Sequence, residues 1–405
     1  MNDGFEYRPG LDLAPAPAVR LGGFLLLVLV GLNLRPFLTA LGPVLQQVQV
    51  DARLDNTTAA ALTTLPFLLM GGLALAGPRL SRSFGEQTAL LGALMLLVLG
   101  AAGRLLIDTG TGLLMTALVA GTGIAAVQAL MPGIAKRWFG ERVGPAMGLY
   151  SAALVGGGAL GALVSPAFSE LAGDWRPGLA IWALPALIAW LLWLWLAPKT
   201  NAETSAPVSL RHFMRLRRAW LLALFFGLAN SGYSSLVAWL PSFYQGLGIR
   251  AQATGQLLAW MAMFQAAGAL LMPLLLRGSR DLRIPLYAVM LLQVAGFAGF
   301  ALAPLAVPAA WIAVAGFGLG GCFSLCLTLC LDHLQDARKA GSLAAFMQGV
   351  GFAITALGPW AVGTLLDRGG DFAIAWWFHA GLAVLLMLSA RHFDPAGYAR
   401  ALKTP

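Results

Sequence analysis

The sequence predicts an all-α membrane protein with twelve transmembrane helices, and three observations support this fold class. Of the 405 residues, 59% are apolar and 11% are charged, whereas a soluble domain carries about a quarter charged residues. The apolar residues fall in runs of about 20, which is long enough to cross the hydrocarbon core of a bilayer. A backbone in lipid must satisfy its own hydrogen bonds, and the runs show no alternating strand pattern, so we predict helices.

The hydropathy pattern predicts twelve spans, and the longest polar connection separates spans six and seven. The chain then divides into an N-terminal tail (1–19), a first six-helix half (20–197), a linker (198–218), a second six-helix half (219–392) and a C-terminal tail (393–405). The predicted spans are residues 21–45, 58–78, 88–107, 111–135, 144–168, 175–197, 219–245, 253–276, 284–303, 309–331, 342–366 and 373–391.

The distribution of basic residues predicts the orientation of the chain. Because the number of spans is even, both termini lie on one side of the membrane. Of the 26 lysines and arginines, twenty fall on that side and five on the other, and the remaining one is Arg35. Cytoplasmic loops are enriched in basic residues, so we expect a multi-pass protein of the bacterial inner (plasma) membrane with cytoplasmic termini. This distribution accounts for the net charge of +9, so no nucleic-acid partner is expected.

The two halves also resemble each other weakly at an offset of 197 residues. Asn33 corresponds to Asn230, and Gly71 corresponds to Gly268. These matches fall at equivalent places in both halves, as expected for two six-helix repeats related by an axis along the membrane normal.

Short motifs over most of the chain resemble those of a known family. The loop at residues 77–86 is similar to the loop motif of the major facilitator superfamily, with Arg82 and Gly85 kept and Ser81 in place of the usual Asp. At a span-four position where the cyanate and 2-nitroimidazole transporter family carries Asn, this chain has Gln128. Further segments resemble the cyanate and 2-nitroimidazole transporter family within that superfamily: Leu32–Pro36, Gly42–Pro43, Leu62–Pro66, Met131–Pro132, Gly148–Tyr150, Trp239–Pro241, Leu357–Pro359, Gly363 and Asp367.

The resemblance implies a transporter of the major facilitator fold. In that fold two pseudo-symmetric halves rock so that a site near the midplane faces alternate sides of the membrane. The first helix of each half is expected to line the central cavity. The resemblance also implies a monomer in the lipid bilayer that binds a small-molecule substrate, with room for a coupling ion. Neither a cofactor nor an enzymatic activity is expected.

Arg35 is the basic residue that the pattern places deep in a span. A basic residue near the bilayer centre costs about 2.5–3.5 kcal/mol on insertion scales, and something should offset that cost. In one interpretation Arg35 lines the cavity and pairs with an anionic or strongly dipolar substrate, which suits its planar guanidinium group. In the other it is structural, bonded to carbonyls at the break expected at Pro36 or extended to the interface.

The acidic residues offer Arg35 no obvious partner within the membrane. None of the seventeen lies deep in a predicted span, and Asp108, Asp332 and Asp367 lie at span ends. The ligand itself could therefore serve as counter-ion. The same pattern argues against a buried carboxylate that carries protons. The other titratable side chain deep in a span, His379, is interpreted as a packed or interfacial histidine in peripheral span twelve.

The other predicted substrate-binding residues are polar side chains of spans expected to line the cavity. Asn33 is one of them, but it lies roughly 200° around the helix from Arg35, so we expect one of the two to bond a neighbouring helix. The remaining candidates are Gln128 in span four, Tyr150 in span five, Asn230 and Tyr233 in span seven, Gln265 in span eight and Gln348 in span eleven.

Four of these candidates belong to three helical stripes. The stripes are Asn230, Tyr233, Ser234, Val237 and Pro241 in span seven, Met261, Gln265, Gly268 and Met272 in span eight, and Gln348, Phe352, Thr355 and Pro359 in span eleven.

Other conspicuous features are interpreted as helix packing. Cys322, Cys326 and Cys330 lie at helical spacing in one apolar run, without the His, Met or carboxylate ligands that a metal site would need. The run Gly156–Gly158 with Gly161 indicates close helix approach and a hinge, because no strand precedes it as in a phosphate-binding loop.

Two functions remain open from the sequence. The first is secondary active or facilitative transport of a small anion or compact polar solute, cyanate-like, with Arg35 attracting the charge. The alternative is export of neutral aromatic compounds such as nitroimidazoles or drugs, with Arg35 structural. A membrane sensor or a membrane-embedded enzyme would need a sizeable soluble domain or a cluster of catalytic groups, and the sequence shows neither.

Overall fold

The computed structural model describes residues 17–74, 76–197, 210–275, 281–334 and 337–398. Within these ranges every regular element is a helix, and twelve helical spans are long and apolar enough to cross a membrane. The predicted all-α class and the twelve spans are therefore confirmed. Most of the predicted N-terminal tail, most of the linker and the last residues of the C-terminal tail lie outside the described residues.

The observed helices follow the predicted spans closely, and three spans are interrupted. In chain order the spans comprise Pro17–Leu34, Pro36–Thr39 and Leu41–Ala52 (one), Asn56–Ala74 (two), Glu86–Gly103 (three), Gly110–Phe139 (four), Val143–Ala172 (five), Trp175–Ala180 and Ala183–Leu196 (six), Arg217–Gly246 (seven), Ala251–Leu275 (eight), Arg283–Leu302 (nine), Pro308–Asp332 (ten), Ala337–Thr355 and Leu357–Asp367 (eleven), and Phe372–Ser389 (twelve). Short helices outside the spans are Gly77–Phe84 and Leu210–Met214, with 3₁₀ turns at Gly140–Arg142, Ala390–His392 and Pro395–Gly397.

Proline explains the interruption of span one. The first helix ends at Leu34 and the next begins at Pro36, because proline lacks an N–H group and its ring clashes with the carbonyl one turn earlier. Arg35 lies at the interruption, with φ −93° and ψ −28°. Span eleven is interrupted at Ala356, whose carbonyl accepts a hydrogen bond of 3.2 Å from the Thr64 hydroxyl of span two. Such breaks leave backbone carbonyls available to side-chain donors.

Span five approaches the interrupted part of span one closely, because it carries glycines where the two helices meet. A Cβ atom at Gly161 would lie 2.7 Å from the Cα atom of Pro36, and one at Gly158 would lie 3.3 Å from the Cβ atom of Arg35. Gly157 faces span one in the same way. The predicted close helix approach is thus confirmed at these three glycines, and larger side chains there would push the two helices apart.

The two six-helix halves meet mainly through three pairs of spans. These pairs are span one with span seven, span two with span eleven, and span five with span eight. Span seven is the most enclosed of the described spans, with 83% of its apolar stretch buried against 28% for span six. Span seven is therefore central and span six peripheral, so polar side chains on span seven lie at the interface between the halves.

Candidate functional site

A cavity of about 550 Å³ lies between the two halves. Its wall is built from spans one, two, four, five, seven, eight, ten and eleven, and it reaches Ala74, Pro132 and Gly341. These three residues lie toward the ends of spans two, four and eleven that face the chain termini. We call this the termini side, and the opposite side, with Arg53 and Arg368, the distal side. The cavity thus extends toward the termini side.

Polar groups form a minority of the cavity wall. Arg35 is the one charged side chain among the described residues that line it. Seven of the eight predicted binding residues belong to the wall, and Asn33 does not. The polar lining residues are Arg35, Thr39, Gln128, Tyr150, Ser151, Asn230, Tyr233, Gln265 and Gln348.

Arg35 connects span one to span seven across the cavity. Its Nη1 atom donates a hydrogen bond of 2.9 Å to the Tyr233 hydroxyl, and its Cζ atom lies 5.2 Å from the centroid of the Tyr233 ring. Its Nε atom is buried and has no partner within the described part of the chain. No described aspartate or glutamate forms an ion pair with it. Arg35 therefore brings a positive charge to the cavity wall and keeps an unused donor buried beside it.

The backbone around the interruption is held independently of the guanidinium group. The carbonyl oxygen of Arg35 accepts hydrogen bonds from the backbone N–H groups of Leu38 at 3.0 Å and Thr39 at 3.1 Å. The Thr39 hydroxyl lies 2.8 Å from the Gly158 carbonyl oxygen in span five and 3.1 Å from that of Arg35. Because these bonds hold the main chain at residue 35, the interruption does not depend on hydrogen bonds from the guanidinium group.

Tyr150 adds a second unpartnered polar group to the same wall. The residue is 5% exposed, and its buried hydroxyl has no hydrogen-bond partner among the described residues. A buried polar group without a partner costs about 1–3 kcal/mol. Two such groups, Arg35 Nε and Tyr150 Oη, belong to residues that line one cavity, and a polar ligand that displaced the atoms covering them would satisfy them.

Asn33, predicted as a binding residue, is not among the described residues that line the cavity. Its Nδ2 atom donates to the Leu29 carbonyl at 2.7 Å and to the Pro185 carbonyl of span six at 3.2 Å. The physical reason is the rotation of roughly 200° between positions 33 and 35, which the interruption at Pro36 does not undo. Both residues bond a neighbouring helix, Asn33 to span six and Arg35 to span seven, and only Arg35 of the two lines the described cavity wall.

The predicted polar face of span seven is narrower in the structure. Asn230, Tyr233 and Val237 line the cavity. Ser234 is fully buried and donates a hydrogen bond of 2.8 Å to a span-eleven carbonyl. Pro241 packs beside a glycine of span one. Helical spacing grouped all five residues, but the neighbouring helices cover two of them.

The three glutamines occupy separate parts of the wall. Gln128, Gln265 and Gln348 line the cavity from spans four, eight and eleven. Within the part of the chain that the structure describes, their side-chain amides form no hydrogen bond with protein groups. Each amide offers both donors and an acceptor. The wall can therefore hydrogen-bond a solute from several directions.

The sequence analysis identified only part of the apolar cavity wall. Met261 and Phe352 had been placed in helical stripes, and both line the cavity. Met70, Met147 and Phe323 also line it, and nothing in the sequence singles them out. An apolar residue in an apolar span carries no signal that separates a cavity wall from a lipid-facing surface.

On the distal side the two halves are joined by a polar clasp. One Asp367 carboxylate oxygen accepts hydrogen bonds from the backbone N–H and the side-chain Nδ2 of Asn56, both at 2.9 Å. The other accepts from the Thr57 N–H at 2.8 Å and the Thr57 hydroxyl at 2.6 Å. Asp367 ends span eleven and Asn56 begins span two. A carboxylate of one half thus caps a helix of the other, where the helix dipole favours negative charge.

Arg104 is a buried arginine near the end of predicted span three (88–107), and the sequence analysis counts it with the basic residues on the side opposite the termini. It directly follows span three and is 1% exposed. Its Nη1 atom donates to the Phe37 carbonyl at 3.3 Å, and its Cζ atom lies 3.6 Å from the centroid of the Phe37 ring. Its Nε atom is buried and unpartnered within the described residues. Its position at a span end gave no signal of this burial.

Residues interpreted as packing are buried away from the cavity. His379 is 2% exposed, and its Nε2 atom lies 2.9 Å from the Ser235 hydroxyl of span seven. Cys322, Cys326 and Cys330 are all buried. Among the described residues no group of three metal-ligating side chains is present.

A separate polar cluster lies on the termini side of the second half. Arg218 Nε donates to His333 Nε2 at 2.9 Å, and His333 Nδ1 lies 2.6 Å from the Leu329 carbonyl oxygen. The His333 ring stacks on Tyr398 with centroids 3.9 Å apart. Burial, assisted by the nearby Arg218, lowers the pKa of His333 to about 4, and burial raises the pKa of Tyr398 to about 12. Folding therefore favours the neutral form of His333.

Comparison with known proteins gives consistent matches. The Major Facilitator Superfamily profile matches residues 23–356. The chain is 45% identical to the cyanate transport protein CynX of Escherichia coli (strain K12), over 92% of this chain and 97% of that protein. It is 29% identical to the 2-nitroimidazole transporter of the same organism, over 90% and 92%. Among solved structures, the nucleoside transporter NupG superposes with a TM-score of 0.77 at 13% identity, over 92% of this chain and 99% of that one.

Proposed function

The chain belongs to the Major Facilitator Superfamily and is a multi-pass membrane transporter, and from this premise we propose that it carries a small anion or compact polar solute by alternating access. The observation that supports this most is Arg35. Its positive charge has no carboxylate partner among the described residues, and its Nε donor is unused. A bound anion would neutralise that charge and so offset the cost of holding it within the membrane.

The geometry of Arg35 also supports a coupling between binding and movement. Arg35 belongs to the first half, and its partner Tyr233 belongs to the second. An anion at Arg35 would therefore sit on a contact that joins the halves. A ligand shifts a conformational equilibrium only when it interacts differently with the two states. Arg35, Tyr233 and Tyr150 would supply that difference, with Gln128, Asn230, Gln265 and Gln348 as hydrogen-bonding partners.

We infer that the two rocking units are residues 20–197 and 219–392, with both termini in the cytoplasm of a bacterium. The excess of basic residues on the termini side supports this orientation. In that orientation the cavity extends toward the cytoplasm, and the Asp367 clasp closes the opposite side. The state described would then be inward-facing, and transport would require the clasp to open. The transporter would act as a monomer, and the lack of carboxylates among the described residues of the cavity wall fits uniport, exchange or weakly coupled symport.

A second candidate function is favoured by the rings in the wall. Tyr233, Phe323 and Phe352 line the cavity, and the chain shares 29% identity with a 2-nitroimidazole transporter. Export of neutral aromatic compounds would use these surfaces and leave Arg35 a structural role. The two candidates differ in whether a negative charge on the solute matters.

The test is solute binding and uptake by the purified protein with and without Arg35. Thermal unfolding is measured with a panel of small anions, including cyanate, and of neutral heterocycles, for wild type, Arg35→Ala and the control Asn33→Ala. A ligand at a hundred times its dissociation constant adds about 2.7 kcal/mol of stability. Uptake of the stabilising solute into proteoliposomes follows with the same three proteins.

We expect anions to stabilise wild type and Asn33→Ala but not Arg35→Ala, with uptake following the same order. Asn33→Ala is a suitable control because it changes a polar residue of the same span that faces span six. Unchanged anion binding and uptake in a folded Arg35→Ala variant would refute the anion proposal. Stabilisation by neutral heterocycles alone, equal in wild type and Arg35→Ala, would instead support the exporter.

A further inference from the structure

The cavity is much larger than a compact inorganic anion needs. Its volume is about 550 Å³, within the range of about 300–1,000 Å³ typical of pockets for drug-sized ligands. A water molecule takes about 30 Å³ of liquid volume, so an anion of three atoms would occupy on the order of 60 Å³. Such an ion would touch Arg35 and leave most of the wall without contact.

Charge recognition is confined to one place in the wall. Arg35 is charged, and every other described residue that lines the cavity is neutral. One guanidinium group balances one negative charge, and a second charge would be buried without a partner at considerable cost. The wall therefore selects a monoanion.

The free edge of Arg35 has the geometry of a carboxylate partner. Nη1 is held by Tyr233 at 2.9 Å, while Nε is unpartnered. No hydrogen bond joins Nη2 to a described residue. The Nε and Nη2 donors lie on one edge of the planar group and match the two oxygens of a carboxylate. Tyr233 thus bonds the opposite side of the guanidinium group, and a carboxylate would pair with this edge once a shift of the side chain uncovers the buried Nε atom.

A row of aromatic rings begins at the residue that holds Arg35. The Tyr233 ring meets the Phe67 ring edge-on at 6.5 Å between centroids, and Phe67 lies 6.5 Å from Phe352. The row continues from Phe352 to Phe226 at 5.5 Å and from Phe226 to Phe323 at 5.6 Å. These spacings lie in the range where aromatic pairs attract each other. Tyr233, Phe352 and Phe323 present part of this row to the cavity.

Methionines extend the apolar surface around the rings. Met70, Met147 and Met261 line the cavity from spans two, five and eight. Their flexible, polarisable side chains adapt to flat apolar bodies of differing outline. The wall thus combines a single cationic edge with a large adaptable apolar surface.

We infer that the substrate is an amphipathic monoanion, a carboxylate joined to a flat aromatic or similarly apolar body. This inference rests on the proposed function, because it assumes that the Arg35 cavity is the transport site. The carboxylate would engage the Nε and Nη2 edge of Arg35, and the apolar body would lie along Phe352 and Phe323.

The inference is tested by calorimetric binding to the purified full-length protein in detergent. Binding is preferable to uptake as readout, because the neutral acid form of an aromatic carboxylate crosses membranes unaided. The probes are benzoate, its neutral isostere benzamide, and cyanate, with wild type, Arg35→Ala and Phe352→Leu. Thermal unfolding without ligand confirms that each variant is folded.

We expect benzoate to bind wild type at least about tenfold more tightly than cyanate or benzamide. Arg35→Ala should abolish benzoate binding. Phe352→Leu should weaken benzoate binding by about threefold to tenfold, the range for one lost aromatic pair.

Two results would overturn the inference in distinguishable ways. If cyanate binds with Arg35 dependence while benzoate does not bind, the anion transporter proposal stands and the amphipathic substrate is rejected. If benzoate and benzamide bind equally well to wild type and to Arg35→Ala, charge has no role, and the inference and the anion proposal both fail.

Discussion

Arg35 directly precedes the short helix Pro36–Thr39 of span one and Arg104 packs on Phe37 of that helix, but the two arginines connect different parts of the protein. Each donates one hydrogen bond from Nη1, each lies near an aromatic ring, and each has an unpartnered Nε atom. Arg35 reaches Tyr233 in the opposite half and is half-buried at the cavity. Arg104 reaches Phe37 in its own half and is 1% exposed.

Because both arginines have an unpartnered Nε atom, such a donor on a buried arginine does not by itself indicate a ligand. What separates the two residues is access to the cavity and a partner across the interface between the halves. A contact within one half can persist while the halves rock, and its loss should lower stability. A contact between the halves must change during transport, so its loss should alter binding or the conformational equilibrium.

The largest effect is expected from Arg35→Ala. It removes the one charged group of the described cavity wall, and charged hydrogen bonds lost at a buried site cost about 2–5 kcal/mol. Substrate uptake into proteoliposomes should fall by at least about thirtyfold, while the unfolding temperature without ligand changes little. A large fall in unfolding temperature together with residual substrate affinity would make Arg35 structural, like Arg104.

The next effect concerns Arg104 and appears in stability. Arg104→Ala should lower the free energy of unfolding by about 3 kcal/mol, because it leaves a cavity beside Phe37. Arg104→Met should restore most of that loss, since it refills the space without burying a charge that lacks a described carboxylate partner. Thermal unfolding measures both, and substrate affinity should stay within about threefold of wild type. A loss of substrate affinity in Arg104→Met would contradict the purely structural role assigned to Arg104.

Asp367→Asn tests a contact between the halves on the distal side. It removes the negative charge and one of the two acceptor oxygens at the start of span two, and such a weakened helix cap costs about 1 kcal/mol. Spin labels at Arg53→Cys and Arg368→Cys, with the three native cysteines replaced, should show a larger share of long distances than wild type. The matched control is Asp371→Asn, because Asp371 caps span twelve within its own half. Equal shifts in both variants would contradict the clasp.

Tyr233→Phe should have a smaller effect on binding. The change removes the hydroxyl that holds Arg35 Nη1 and keeps the ring, and a hydrogen bond contributes about 1 kcal/mol. Affinity for the substrate anion should fall by about fivefold in calorimetric titration. Tyr244→Phe is the control, because the Tyr244 hydroxyl donates to the Pro304 carbonyl in the same half at 3.2 Å. An equal loss in Tyr244→Phe would remove the distinction between the two kinds of contact.

The smallest effect is a pH dependence within the second half. Burial lowers the pKa of His333 to about 4 from 6.5, so the unfolded chain binds more protons than the folded protein between these values. Stability should therefore fall as pH decreases from about 6.5 toward 4. His333→Phe should reduce the difference in unfolding temperature between pH 7 and pH 5, and the exposed-site control His212→Gln should not. An undiminished difference in His333→Phe would place its origin elsewhere.

The site residues show how far helical periodicity alone can lead. It gave the polar faces of spans seven, eight and eleven, and it required Asn33 and Arg35 to point in different directions. It could not say which of the two residues faces the cavity. That depends on which neighbouring span packs against each face of span one, and span six covers Asn33 while span seven lies opposite Arg35. It also could not separate Tyr233 from Ser234, which are adjacent on the helix surface and differ in which neighbour covers them.

By itself the sequence determined the helical class, the twelve spans and the presence of an arginine within the membrane. These follow from local physics, because a lipid environment requires apolar runs of a certain length and makes charge costly wherever it occurs. Only the tertiary structure decided that Arg35 meets Tyr233, that Arg104 is buried on Phe37 and that Asp367 caps span two. These contacts join residues 67 to 311 positions apart, and they depend on how the helices pack, which no local pattern encodes.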